Sequence, residues 1–317
     1  MARCFVTRAL PGAALQRLAD AHDVDEWPEP GPPPRAELLD RASEADGLLA
    51  LLTDRVDREL FDDCPSLRAV SNYAVGTDNV DLALATERGI PVGHTPDVLT
   101  ETTADLAFAL MLAAARRVVE ADASVRRGEW PVWQPGGFLG HDLNGAVLGI
   151  VGLGRIGGAV ARRAAGFAME VIHTGRPDGA PLDELLRRAD FVSLHIPLTN
   201  ETDGLVGEPE LQLMQDSAYL INTARGEVVR TDELTRALEQ GQIAGAGLDV
   251  TDPEPLPADH PLLGLTNVVI TPHIGSASER ARAAMADMAV DNLLAALAGE
   301  RMPHCANPDV YLTRRAP

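Results

Sequence analysis

A glycine-rich turn between an apolar run and a helix-like segment constrains the fold of this 317-residue chain more than any other feature. The run Val147–Val151 is followed by Gly152, Gly154 and Gly157, and then by the helix-like AVARRAAGF. In a βαβ unit, glycines at this spacing permit a tight turn, close approach of the backbone to a pyrophosphate, and close packing of helix on strand. The helix N-terminus directs unpaired N–H groups at the phosphates. The pattern favours a dinucleotide site over a plain turn, with contacts from Gly152, Gly154, Arg155, Ile156 and Gly157.

The strand that follows this turn ends without an acidic residue. NAD-binding versions carry an Asp or Glu about 20 residues further on, where its carboxylate binds the ribose 2′-hydroxyl. Here the strand pattern Glu170–His173 continues into Thr174, Gly175 and Arg176. An arginine at this point suits a 2′-phosphate, so the sequence favours NADPH, with NADH as the second choice. The alternative interpretation of Arg176 is a solvated loop side chain.

The charge balance argues against several classes of partner. The chain has 47 acidic and 27 basic residues, which gives a formal net charge of −20 at pH 7. Such a charge disfavours binding to nucleic acid or to an anionic membrane. An anionic substrate would therefore need a local positive field, supplied by arginines and helix N-termini.

The sequence gives no indication of secretion, membrane insertion or metal binding. The N-terminal segment acquires charges early and lacks the apolar core of a signal peptide. No apolar run is long enough to cross a bilayer, so we expect a cytoplasmic protein. Cys4, Cys64 and Cys305 are scattered without ligand spacing, which predicts reduced thiols rather than a disulfide framework or a metal site.

Two series of short apolar strands alternate with helical stretches, which predicts two parallel sheets. The first series precedes residue 97, and the second lies within residues 147–274. Strands are predicted at Arg3–Thr7, Val24–Trp27, Gly47–Leu52, Arg68–Ser71, Val147–Val151, Glu170–His173, Phe191–His195, Ala218–Asn222, Gly245–Asp249 and Asn267–Thr271.

Two helical segments rich in Ala and Leu lie where the two series meet and end. Glu101–Arg127 has the length of a connector between domains, and Ser278–Ala298 can return to the first series. We therefore expect a discontinuous substrate-binding domain, residues 1–97 and 278–317, and a dinucleotide-binding Rossmann domain, residues 98–277. The predicted fold class is α/β, with two Rossmann-like or flavodoxin-like parallel-sheet lobes and a cleft between them that the carboxyl ends of the strands face.

Three polar side chains follow apolar runs of the second series. Arg225 follows AYLINTA, Glu254 lies in DVTDPEPLP after GAGLDV, and His273 follows NVVITP. Each is expected at the carboxyl end of a strand, where α/β sheets bind ligands. An Arg binds a carboxylate through its planar fork, a His exchanges a proton with a carbonyl or alcohol oxygen, and a Glu bonded to that His favours the imidazolium. Taken singly, Arg225 could form a surface salt bridge, Glu254 could be an ordinary loop acid and His273 a core histidine. The three together beside a dinucleotide motif predict a catalytic set.

Over nearly its whole length the chain resembles the D-isomer-specific 2-hydroxyacid dehydrogenases. The resemblance is carried by GLGRIG, ADFVSLHIPLTNETDGLVG, LINTARGEVVRTDEL and the ordered series GLDV…EP…TPHIGS. Within the family, TGRP, DVTDPEPLPADHPLL and TPHIGSAS most resemble the glyoxylate/hydroxypyruvate reductases, which generally use NADPH. The resemblance implies a catalytic set of Arg225, Glu254 and His273, cofactor contacts at Thr223 and Asp249 with Asp249 near the nicotinamide carboxamide, and a substrate carboxylate held by the N–H groups of Val75 and Gly76.

Other segments permit two interpretations. From its residues alone, NYAVGTD is either a turn whose N–H groups bind an anion or a plain strand-to-helix turn. Thr251 stands where many members of the family carry an aromatic residue, which favours the reductase subgroup. Trp130 and Trp133 are predicted to be core residues; the alternative is an interface, because family members usually dimerise through this region.

The resemblance implies NADPH-dependent reduction of a small 2-oxo acid, glyoxylate or hydroxypyruvate, by a homodimer. One alternative is an NAD-dependent D-3-phosphoglycerate dehydrogenase, which the missing acid after the second strand and the lack of room for a regulatory domain disfavour. Another is a non-enzymatic dinucleotide-sensing corepressor, which shares the fold and would keep the Arg–Glu–His set. Such proteins often carry extended tails, which this chain lacks.

Overall fold

The computed structural model describes residues 1–313 and divides the chain into two compact units. The first unit consists of residues 1–99 together with the chain from residue 277 onward, and the second consists of residues 100–276. Residues 314–317, the end of the predicted substrate-binding domain, lie outside the described residues. Within residues 1–313, no helix combines the length and the apolar composition that a membrane span requires.

Strands and helices alternate along both units. The strands are β1 Arg3–Val6, β2 Asp23–Glu26, β3 Gly47–Ala50, β4 Ala69–Asn72, β5 Val92–Gly93, β6 Val147–Val151, β7 Glu170–Thr174, β8 Phe191–Leu194, β9 Tyr219–Asn222, β10 Gly245–Leu248 and β11 Val268–Ile270. The helices are α1 Ala14–Ala21, α2 Arg35–Ser43, α3 Arg58–Asp63, α4 Leu82–Glu87, α5 Thr100–Ala115, α6 Val118–Arg126, α7 Arg155–Ala164, α8 Leu182–Arg188, α9 Glu208–Leu213, α10 Thr231–Glu239, α11 Glu279–Leu297 and α12 Val310–Thr313.

The first unit is built on a parallel sheet with the order β2-β1-β3-β4-β5, the doubly wound order of flavodoxin-like folds. All residues of β3 and β4 are buried, as expected for central parallel strands covered on both faces. α11 packs against α1, β3 and β4. Its N-terminus is capped by Ser278, whose Oγ accepts a hydrogen bond from the Ala281 N–H at 3.1 Å.

The second unit is built on a parallel sheet with the order β11-β10-β9-β8-β6-β7. Counted from β6, the chain first adds a strand on one side and then continues on the other, so the direction of winding reverses between β6 and β8. A crevice at the carboxyl ends of the strands forms at such a point, and it is where open α/β sheets bind ligands. The glycine turn follows β6 directly. The predicted α/β class with two parallel sheets is confirmed.

The predicted continuous helix over residues 101–127 is wrong, because the segment forms two helices, α5 and α6. Arg117 between them has φ 52° and ψ 36°, a left-handed conformation that a right-handed helix cannot contain. Its guanidinium forms two hydrogen bonds of 2.8 Å with the Glu120 carboxylate, which stabilises the turn. α5 packs against β9, β10 and α7, so it belongs to the core of the second unit rather than serving as a free connector.

The prediction that Trp130 and Trp133 lie in the core is also wrong. Their side chains are 68% and 76% exposed. They lie in a stretch of turns and irregular chain after α6, and the segment therefore presents its indoles to the surface instead of folding them into a layer of the unit.

Candidate active site

The three glycines after β6 meet separate steric requirements. Gly152 has φ +96°, and a Cβ there would lie 2.5 Å from Ile196 Cγ2 and 2.7 Å from the His195 carbonyl oxygen, so only glycine fits. A Cβ on Gly157 would lie 2.2 Å from the Gly152 carbonyl oxygen. Gly154 precedes α7, and among the described residues no atom outside its chain neighbours lies within 4 Å of its Cβ position. The turn is thus closed toward the protein and open where a pyrophosphate would approach the helix.

The end of β7 lies beside this turn. Thr174 is the last residue of β7, and a Cβ on Gly175 would lie 3.6 Å from Gly152 Cα. Arg176 is exposed, and its Nε donates a hydrogen bond of 2.9 Å to the Leu153 carbonyl oxygen. The guanidinium is therefore anchored on the glycine turn, and its charge lies at the edge where a ribose phosphate would be bound.

Three other predicted cofactor residues lie near the same end of the sheet. Arg155 and Ile156 form the first turn of α7, where Arg155 is exposed and Ile156 is half-buried. Thr223 follows β9 and is 9% exposed, and its Oγ1 has no hydrogen-bond partner within residues 1–313. A buried hydroxyl without a protein partner is available to hydrogen-bond a ligand. Together with the open Gly154, it shows that this surface fits a dinucleotide.

Arg225 lies on the loop after β9. Its Nη1 donates a hydrogen bond of 2.8 Å to the Ala224 carbonyl oxygen, and its own carbonyl oxygen accepts one of 2.8 Å from Asn222 Nδ2. A Cβ on Gly226 would lie 2.0 Å from the Thr251 carbonyl oxygen, so the glycine allows this loop to contact the loop after β10. The structure thus brings the loop of Arg225 against the loop that leads to Glu254.

Glu254 and His273 form a hydrogen-bonded pair. His273 Nδ1 lies 2.7 Å from Glu254 Oε1, and the side chains of His273 and Glu254 are 24% and 37% exposed. Because a carboxylate can only accept, the proton lies on Nδ1, and Nε2 is the nitrogen that can exchange a proton with a ligand. His273 has φ +53°, a left-handed conformation that is uncommon outside glycine and that turns the side chain away from the direction of β11.

Asp249 holds the loop that carries this histidine. It is buried after β10, and its carboxylate accepts hydrogen bonds from Thr271 Oγ1 at 2.6 Å and from the N–H groups of Ile274 and Gly275 at 2.8 and 2.7 Å. The Asp249 carbonyl oxygen also accepts a bond of 2.8 Å from the His273 N–H. Asp249 therefore fixes the backbone on both sides of His273.

In the first unit, the loop after β4 exposes N–H groups while its carbonyl oxygens are bonded. The N–H groups of Val75 and Gly76 donate to no other group of residues 1–313. The carbonyl oxygens of Val75 and Gly76 accept hydrogen bonds from His94 Nδ1 at 3.1 Å and Asn72 Nδ2 at 3.0 Å. Adjacent N–H groups without protein partners are able to bind an anion, which favours the anion-binding interpretation of NYAVGTD over a plain turn.

One half-buried histidine of the site was not singled out from the sequence. His195 follows β8 beside Gly152, and its Nε2 lies 2.8 Å from Ser193 Oγ. Burial lowers the pKa of His195 to about 4, so the ring is neutral at pH 7. The only signal in the sequence is its place after an apolar strand in SLHIPL, which many structural histidines share.

Comparison with known proteins identifies the family. Residues 108–275 match the model of the D-isomer specific 2-hydroxyacid dehydrogenase, NAD binding domain. A glyoxylate reductase of Korarchaeum cryptofilum is 50% identical to the chain over 98% of each sequence. The chain belongs to the D-isomer-specific 2-hydroxyacid dehydrogenase family. The resemblance found in the sequence is confirmed, and the protein is an NAD(P)-dependent dehydrogenase with a site for a nicotinamide dinucleotide.

Solved structures of other proteins share the fold. A crystal structure of a Thermus thermophilus protein superposes with a TM-score of 0.90 at 51% identity, covering 96% of this chain and 99% of that one. A structure described as an NADPH-dependent glyoxylate/hydroxypyruvate reductase of Sinorhizobium meliloti, in complex with NADP and malonate, has a TM-score of 0.87 at 33% identity and covers 100% of this chain and 99% of that one.

Proposed function

We propose that this dehydrogenase reduces glyoxylate, and hydroxypyruvate as a second substrate, to the 2-hydroxy acid with NADPH. The observation that carries the proposal is the bond of 2.7 Å between His273 and Glu254 at the carboxyl end of the sheet. It supplies an oriented acid beside a cofactor surface, as reduction of a carbonyl requires. The similarity to glyoxylate reductases at about half identity supports this choice of substrate.

The residues around the glycine turn would hold the cofactor. The N–H groups of α7 would bind the pyrophosphate and Arg176 the 2′-phosphate. Thr223 would contribute its unpartnered hydroxyl. The Asp249 carboxylate, which already accepts hydrogen bonds from Thr271, Ile274 and Gly275, would use a remaining lone pair for the nicotinamide carboxamide. When bound, NADPH supplies the hydride.

His273 would act as the acid in this reaction. Its Nε2 would give a proton to the substrate oxygen as negative charge develops there, while Glu254 stabilises the imidazolium and fixes the plane of the ring. The Arg225 guanidinium would bind the carboxylate of the substrate and stabilise the same developing charge. In the reverse direction the neutral ring would accept the proton of the hydroxyl group.

The first unit, with boundaries close to residues 1–97 and 278–317, would bind the substrate. The N–H groups of Val75 and Gly76 would hold its carboxylate in place of water. Two fixed N–H groups restrict the orientation of a carboxylate, and such positioning contributes directly to the rate.

A steady-state screen tests the proposal. Glyoxylate, hydroxypyruvate, 3-phosphohydroxypyruvate and pyruvate would each be tested with NADPH and with NADH. We expect the highest kcat/KM with glyoxylate or hydroxypyruvate and NADPH. A preference for the phosphorylated acid with NADH would favour a D-3-phosphoglycerate dehydrogenase, and no turnover with any acid, despite NADPH binding, would favour a dinucleotide-sensing corepressor.

A further inference from the structure

The peptide groups that carry the Val75 and Gly76 N–H groups are fixed through their carbonyl oxygens. A peptide bond is planar and trans, so the N–H of one residue points opposite to the carbonyl of the residue before it. The carbonyl oxygen of Ala74 accepts a hydrogen bond of 2.8 Å from the Thr95 N–H, which sets the direction of the Val75 N–H. The carbonyl oxygen of Val75 accepts one of 3.1 Å from His94 Nδ1, which sets the direction of the Gly76 N–H.

Of the two donors that hold these carbonyl oxygens, Thr95 uses its backbone N–H and His94 uses its side chain. A carbonyl oxygen can only accept, so Nδ1 must carry the hydrogen and donate it. The backbone of His94 is itself held on both sides: its N–H donates to the His304 carbonyl oxygen and its carbonyl oxygen accepts from Asn292 Nδ2, each at 3.0 Å. The ring therefore links the fixed backbone after β5 to the Val75 carbonyl oxygen.

We propose that His94 is a positioning residue that aims the Gly76 N–H at the substrate carboxylate. The inference rests on the proposed role of this loop in binding that carboxylate. Without the hydrogen on Nδ1, the peptide between Val75 and Gly76 can rotate. The Gly76 N–H then no longer points at the same carboxylate as the Val75 N–H. His94 touches neither substrate nor cofactor in this account and acts only through the peptide.

A pair of substitutions separates the hydrogen bond from the bulk of the side chain. In His94→Asn, the amide Nδ2 can take nearly the place of the ring Nδ1 and donate the same bond. In His94→Leu, a side chain of similar reach has no donor. Asn307→Ala is the matched control for lost stability, since Asn307 is buried and donates to Thr86 Oγ1 and the Ile90 carbonyl oxygen, each at 3.0 Å, at the opposite end of β5.

The measurements are KM for glyoxylate, the inhibition constant of oxalate, KM for NADPH, and Tm. For His94→Leu we expect KM for glyoxylate and the inhibition constant of oxalate to rise together, by about tenfold, with KM for NADPH changed by less than about twofold. His94→Asn should restore both values to within about threefold of the wild type. Asn307→Ala should lower Tm without changing either value.

The proposal is overturned if His94→Leu loses no more affinity for oxalate than Asn307→Ala does at a similar Tm, or if His94→Asn is as impaired as His94→Leu. Should His94→Leu fail to fold, the comparison is made with His94→Gln, whose amide is displaced by one methylene, and the same outcomes apply. Calorimetric titration of the NADPH-loaded wild type with oxalate keeps the two claims apart. Oxalate binding without glyoxylate turnover contradicts the proposed substrate alone, whereas no oxalate binding contradicts the role of His94.

Discussion

We expect the choice between NADPH and NADH to depend on Arg176. This guanidinium is anchored on the glycine turn by its bond to Leu153, and the end of β7 offers no carboxylate for a ribose hydroxyl. A charged hydrogen bond contributes about 1.5–3 kcal/mol, so Arg176→Ala should raise KM for NADPH by about tenfold or more and leave KM for NADH nearly unchanged. Arg155→Ala is the control, because Arg155 begins α7 and the pyrophosphate proposed to bind there is common to both cofactors. An equal effect of Arg176→Ala on both cofactors, or a wild type that prefers NADH, would refute the assignment.

The desolvated ring of His195 should make the stability of the protein depend on pH. Its pKa is about 4 in the folded chain against an ordinary value of 6.5. The unfolded state therefore binds a proton below pH 6.5 that the folded state does not, and the free energy of unfolding falls as the pH decreases toward 4, by up to about 3 kcal/mol from this residue. Urea unfolding at a series of pH values should show a smaller fall for His195→Gln. Parallel curves for the two proteins would show that His195 is charged or solvated in the folded state.

The positions of the chemistry-bearing residues could be predicted because each follows an apolar strand. Parallel strands place their carboxyl ends at one edge, so the sequence alone assigns Arg225, Glu254 and His273 to a common region. The roles of His94 and His195 could not be predicted. Each is defined by one hydrogen bond or by burial, which no periodicity or spacing in the sequence reveals.

At the scale of elements, substitutions in the glycine turn after β6 should separate effects on stability from effects on cofactor binding. Gly152→Ala would force a Cβ to within 2.5 Å of Ile196 at φ +96°, so we expect a large loss of stability. Gly154→Ala meets open space and should keep the fold while obstructing the pyrophosphate. Gly158→Ala, also in open space but within α7, is the control and should be neutral or slightly stabilising.

These variants are compared by Tm and by fluorescence titration with NADPH. We expect Gly154→Ala to retain the Tm of the wild type within a few degrees and to lose most of its affinity for NADPH, whereas Gly158→Ala should retain both. Unchanged NADPH binding by Gly154→Ala would mean that the cofactor does not approach the backbone at this turn.

The strands could be predicted from the sequence more completely than the helices. Strand positions agreed to within a residue or two because each apolar run is flanked by polar or turn residues. β5 is only two residues long, Val92–Gly93, and so has no periodicity to detect. The break at Arg117 was missed because neither Gly nor Pro marks it: a positive φ on an arginine is stabilised by its bidentate contact with Glu120, which only the structure shows.

At the scale of the whole molecule, the apolar surface after α5 predicts a homodimer. Exposed apolar side chains are concentrated in residues 118–139 of the second unit, and such concentrations mark interaction surfaces. They are Val118, Val119, Val125, Trp130, Val132, Trp133, Phe138 and Leu139. Light scattering should therefore give twice the chain mass of 33.7 kDa.

Charged substitutions locate the interface. The double variant Trp130→Glu, Trp133→Glu should be monomeric at micromolar concentration, because burying two carboxylates without partners is costly. Leu312→Glu, at an equally exposed apolar position of the first unit, should remain dimeric. A monomeric wild type, or a dimer that persists in the double variant, would exclude this surface as the interface.

The most direct test of the proposed mechanism is kcat/KM for glyoxylate with NADPH, compared between the wild type and Glu254→Gln. His273 must carry a proton to act as the acid, and the Glu254 carboxylate at 2.7 Å orients the ring and stabilises its positive charge. Glutamine keeps the shape but removes this negative charge. A hydrogen bond to a charged group contributes about 1.5–3 kcal/mol, so we predict that kcat/KM for reduction falls by about tenfold or more, while Kd for NADPH and Tm stay near the wild-type values. An unchanged kcat/KM, in a variant that folds and binds NADPH normally, would contradict the mechanism.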